Sequence, residues 1–94
     1  MTATAHPAAY PYLGAVTVGT TTYMVFDLPV GPSARADGIE HNLELVGPRG
    51  ARYFVVDHGP DYSMTCISTS GSLHNGLRDL TRAHLAPFGV RLRE

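Results

Sequence analysis

Apolar and polar positions alternate with a period of two along much of the chain, and that period predicts β-strands. Between Thr21 and Leu28, Met24, Phe26 and Leu28 share one face, while Tyr23, Val25 and Asp27 share the other. Leu13–Val18 precedes it across Gly19-Thr20, a pair suited to a tight turn, so the two segments read as a hairpin. Ile39–Val46 alternates most cleanly. Ile39, His41, Leu43 and Leu45 fall on one face and Glu40, Asn42 and Glu44 on the other, which predicts a half-buried strand with one wet face. Gly47-Pro48-Arg49-Gly50 reads as a four-residue turn. Ala51–His58 returns with apolar residues on both faces, as expected of a central strand, and Tyr62–Thr69 follows the Gly59-Pro60-Asp61 turn. Residues 29–38 carry two prolines and two glycines and read as a loop without regular structure.

The period then changes. Leu73, Leu77, Leu80 and His84 fall at i, i+4, i+7 and i+11, a single helical stripe that starts after the N-cap candidate Ser72 and stops at Pro87. On that helix Asn75, Arg78, Asp79 and Arg82 face water. Phe88–Leu92 reads as a short last strand or as a segment packed on the core. Strands joined by short turns pair antiparallel, and an amphipathic helix must bury its stripe against them. The expected fold class is therefore α+β: an antiparallel sheet of about five strands with one C-terminal helix on one face. A small bent barrel capped by the helix is the alternative. Residues 1–12, rich in Ala and Pro, read as a flexible arm bearing Tyr10 and Tyr12, and residues 13–94 as one domain.

Composition narrows the function classes. The chain has 94 residues and a formal net charge of −1, so it exerts no long-range pull on nucleic acid or anionic lipid. Near-neutrality also leaves a homodimer open. All seven basic residues are arginine, a usage expected of a GC-rich bacterium or its phage. Cys66 is the lone cysteine, no apolar run reaches the length of a membrane span, and Met1–Pro11 lacks the pattern of a signal peptide. A cytoplasmic protein is expected.

Candidate chemistry is thin. His58, Cys66, His74 and His84 could supply a zinc set, but they are eight, eight and ten positions apart with no close pair. On one helix His74 and His84 would lie about 80° and about 15 Å apart, so they cannot share an ion. No metal site and no cofactor is expected. Asp57 and His58 are strand neighbours and point to opposite faces, so they do not pair with each other. Cys66, mid-strand, reads as a small buried residue. Ser70, Gly71, Ser72 and His74 sit where a strand runs into a helix N-terminus, the one conventional anion site the chain offers.

A non-enzymatic protein-interaction module is thus the leading expectation, an accessory or inhibitor protein in kind. Its binding surface would be a sheet edge, the 29–38 loop with Arg35 and Asp37, or the arm with Tyr10 and Tyr12. The alternative is a small anionic-ligand or catalytic domain using His41 or His58 with the Ser68–Ser72 loop. Another protein is the expected partner. Nucleic acid is disfavoured, because Asp79 and Glu94 dilute the basic residues Arg78, Arg82, Arg91 and Arg93.

Overall fold

A computed structural model of the chain describes residues 10–68, 77 and 79–92. Five strands form one antiparallel sheet in sequence order: β1 (Tyr12–Val18), β2 (Thr21–Leu28), β3 (His41–Val46), β4 (Arg52–Asp57) and β5 (Thr65–Ser68). β1 and β5 are the edges and the sheet does not close, so the barrel alternative does not hold. β4, expected to be central, is interior, between β3 and β5.

The β1–β2 hairpin turns on two residues. Gly19 has a φ of 65° and Thr20 keeps a negative φ, the combination that suits the twist of the flanking strands. Tyr12 opens β1, inside the segment read as arm, and its ring lies 5.5 Å from that of Phe26. A bulge between Tyr12 and Gly14 shifts the register there. The β3–β4 hairpin closes on the Gly47–Ala51 pair, so three residues make the turn where four were expected. Pro48–Gly50 forms a 3-10 turn with Arg49 at φ 61°, and Gly47 donates its N–H to the Ala51 carbonyl at 2.7 Å. An odd-length loop changes the pairing by one position. His41 consequently faces Asp57, whereas a four-residue turn would set it against Val56.

Residues 29–38 are not irregular throughout. Pro32–Ala36 form a short helix, α1, because proline at the first helical position sacrifices no needed N–H. The C-terminal helix differs more. Asp79, Leu80 and Thr81 are non-helical, Arg82–Leu85 form a second short helix, α2, and Ala86–Phe88 continue it as a 3-10 turn that contains Pro87. The continuous helix expected from Ser72 to Leu85 is therefore broken before α2. Its beginning, with Leu73 and His74, lies outside the described residues. Phe88–Leu92 form no strand; Val90 packs into the core.

The core occupies one sheet face. Val16, Val18, Tyr23, Val25, Leu43, Leu45, Tyr53 and Val55 meet Leu77, Leu85 and Val90, with Leu80 and Phe88 at the margin. Among the described residues, the C-terminal segment thus covers the sheet from a single residue at 77, from α2 and from the stretch after it. Gly14 in β1 admits the Phe88 ring, which a Cβ there would meet at 2.9 Å. The opposite face departs from the wet face expected of β3. Phe26, Glu44 and Phe54 line up across β2, β3 and β4, and Glu44 has 0% of its surface exposed. Arg52, on the same face, reaches Glu44 Oε2 from Nε at 2.9 Å and from Nη2 at 2.7 Å. A carboxylate can be buried here because a guanidinium is brought to it.

Candidate functional site

The densest polar cluster lies at the end of β4. Asp57 points toward the core side and is wholly shielded from solvent. Arg82, 8% exposed at the start of α2, donates from Nη1 to Asp57 Oδ1 at 2.6 Å. Its Nη2 donates to the carbonyls of Gly59 and Tyr62, and Nη1 also lies 3.5 Å from the Arg91 carbonyl. The Gly59 N–H donates to Asp57 Oδ1 at 3.0 Å, and His41 Nδ1 donates to Oδ2 at 3.3 Å. Burial pushes the Asp57 carboxyl up. The Gly59 amide, Arg82 and His41 together outweigh it and hold the carboxyl below its ordinary value.

Arg82 was expected on the wet side of a continuous helix. Residues 79–81 are non-helical, and a buried counter-charge waits 25 positions away, so the guanidinium turns inward. Thr81 starts α2 with its N–H donating to His84 Nδ1 at 2.9 Å, and His84 N–H donates to the Thr81 carbonyl at 3.1 Å. His84 is thereby a capping residue. Arg91 pairs with Glu40 beside this cluster, Nε donating to Oε1 at 3.1 Å and Nη2 to Oε2. That hydrogen-bonded contact with Glu40 raises the Arg91 guanidinium above its usual value.

Ligand atoms of Glu40, His41 and Asp57 lie within 4.8 Å of one another, a spacing a cation could use. The two carboxylates already hold Arg82 and Arg91, and two guanidiniums beside the set oppose a divalent ion. The cluster's chemistry is thus spent on fastening the α2 segment and the 59–62 turn to the end of β4. His41 Nε2 makes no hydrogen bond among the described residues and lies 3.5 Å from where a Cβ on Gly89 would stand. His58 makes no polar side-chain contact among them. Cys66 is half-buried, and burial pushes its thiol up, away from the thiolate a nucleophile needs.

Of the expected interaction residues, Tyr12 is 58% exposed in β1, Tyr10 precedes it, and Arg35 and Asp37 lie exposed on and after α1. Arg35 is separated from β1 in sequence by β2, and lines a shallow depression with Gly38, Ile39, Glu40 and Arg91 instead. Ser70, Gly71, Ser72 and His74 lie outside the described residues. No helix among the described residues is long and apolar enough to cross a membrane.

The edge of β1, one of the two edges of the sheet, has open valence among the described residues. A two-residue hairpin makes Val18 and Thr21 a hydrogen-bonded pair, and alternation assigns Val16 and Gly14 to bonds with Tyr23 and Val25. The backbone groups of Ala15 and Thr17 therefore point away from the sheet. Nothing among the described residues pairs with them. Edge strands are ordinarily protected by charge, proline or extreme shortness. β1 spans seven residues, Tyr-Leu-Gly-Ala-Val-Thr-Val, with neither charge nor proline; its one irregularity is the bulge at Tyr12–Gly14. Beside it on the outer face stand Tyr12 and Met24, both exposed, with Phe26 behind them. No protein-family model matches the chain, and no curated protein or solved structure shows significant similarity to it.

Proposed function

We propose that the protein is a non-enzymatic interaction module that takes up an extended segment of a partner protein along the edge of β1. The observation that carries this reading is the outward row of Ala15 and Thr17 backbone groups on a strand without charge or proline. An added strand satisfies those groups, and Tyr12 and Met24 on the outer face supply apolar contact for its alternate side chains. The fastened α2 segment gives the sheet a rigid back, so the edge is preorganised. A role as accessory or inhibitor protein in the cytoplasm of a high-GC bacterium or its phage accords with the arginine-only basic composition and the lone cysteine.

A peptide-display selection against the protein tests this, followed by NMR mapping of the selected peptides. Peptides that shift Ala15–Val18 and lose binding in Ala15→Pro support strand addition. Binders that map only to other surfaces, or an exhaustive selection without binders, overturn it.

The free Nε2 of His41, held through Nδ1 by Asp57, favours a second reading as a small catalytic or anionic-ligand domain. Turnover of activated carboxylate or phosphate esters by wild type and not by His41→Gln would carry it. Wild type that matches buffer alone removes it.

A further inference from the structure

Resting on the strand-addition reading above, we infer that the segment taken up by β1 is β1 of a second copy of this chain, in a two-fold antiparallel pair centred on Val16. The bulge at Tyr12–Gly14 and the Gly19-Thr20 turn bound a regular stretch of five residues, Gly14–Val18, and Val16 is its midpoint. A two-fold axis there sets Ala15 against Thr17 of the partner subunit and Thr17 against Ala15 of the partner subunit. These are the residues whose N–H and C=O groups point outward, and each such pair exchanges two hydrogen bonds. All outward groups of the regular stretch are satisfied at once. A register moved off Val16 would run the bulge or the turn of one copy against the regular ladder of the other.

Charge admits the pairing. In a two-fold pair every residue near the axis meets its own kind, so a charged edge opposes its copy. No charged residue occurs from Tyr10 to Phe26, and the whole chain carries only −1. Side chains fit as well. Ala15 and Thr17 are small and lie on the outer face, where Thr17 Oγ1 already bonds Thr22 Oγ1 at 2.9 Å. Val16 and Val18 lie on the core face, 7% and 5% exposed, so Val16 meets its counterpart as a continuation of the core. The product is one ten-stranded sheet in which Tyr12 and Met24 of both copies flank the join.

Sedimentation equilibrium from about 1 μM to about 1 mM, the range in which weak dimers dissociate, tests this. The expected result is a mass rising with concentration from 10.1 kDa toward twice that value. Ala15→Pro removes an outward N–H in each copy, two of four bonds, and weakens association at least about tenfold. The double variant Ala15→Lys/Thr17→Lys keeps the backbone groups but opposes like charges, and stays monomeric at low salt. Unchanged circular dichroism shows that both variants fold. Wild type that is monomeric throughout, or association unaffected by both variants, overturns the self-pairing. If display-selected peptides still bind β1 in that case, strand addition stands with a different partner. If neither occurs, both fail.

Discussion

Replacing Arg82 with methionine keeps much of the side chain's length and removes its charge. Asp57 then remains sealed from water, with only the Gly59 amide and the His41 ring to hold it. The carbonyls of Gly59 and Tyr62 lose their donor in the same step. Unpairing a buried charge costs about 3–5 kcal/mol. A domain of this size is stable by about 5–15 kcal/mol, so the change consumes a large share of the whole. At about 4–8 °C per kcal/mol, Tm falls by at least roughly 12 °C. Thermal and urea unfolding at pH 7, followed by circular dichroism, measure it. The loss shrinks toward pH 4, because a protonated carboxyl can be buried without a counter-charge. The double variant Asp57→Asn/Arg82→Met removes both charges while keeping an acceptor for the Gly59 amide, and recovers more than half of the loss. A single variant within about 0.5 kcal/mol of wild type would refute the reasoning, since that is the range of ordinary surface substitutions. So would a double variant no more stable than the single.

Four further outcomes are expected. Asp57 is depressed in the folded state, so its contribution is fully present above the unfolded value of about 3.9 and is lost as pH falls through the folded value; Asp57→Asn flattens this acid limb of the stability profile. Arg52→Met destabilises more than Glu44→Met in urea titrations, because the first takes a counter-charge from a carboxylate whose side chain is 1% exposed and the second takes one from a guanidinium that is 35% exposed and within reach of water. Gly47→Ala places a Cβ 2.8 Å from the ring of Tyr23, itself nearly buried, and lowers stability by about 1–3 kcal/mol. Burial of Cys66 makes its thiol react with a disulfide reagent at pH 8 far more slowly in the folded protein than in urea; equal rates would show an open site.

Much of the sheet was legible because alternation is a local signal. Thr21–Leu28 is β2 to the residue, and the hairpin before it followed from Gly19-Thr20. The Asp57 cluster was not, for two physical reasons. Its partner His41 is fixed by the loop length between β3 and β4, and Arg49 adopting φ 61° shortens that loop by one residue from the turn that Gly-Pro-Arg-Gly suggests. Its partner Arg82 depends on a helix break that leucine spacing hides. One signal for that break was present: Thr81 followed by His84 has the spacing of a capping box, with histidine in the place usually held by Glu or Gln. Burial of Glu44 was invisible for a similar reason, since a strand's own alternation cannot reveal that Phe26 and Phe54 flank it or that Arg52 reaches across from β4. The lack of charge and proline in β1 is legible from its residues, but its place at an edge depends on strand order, which no local pattern encodes.

Residue-resolved amide exchange along β1 tests the proposed binding edge most directly. In dilute protein Val16 and Val18 exchange slowly, because they bond β2, while Ala15 and Thr17 exchange close to the rate of an unstructured chain. When a second copy or a selected peptide is bound, Ala15 and Thr17 gain protection and Val16 and Val18 change little. Protection of Ala15 and Thr17 already in dilute protein, or none gained on binding, would contradict the account.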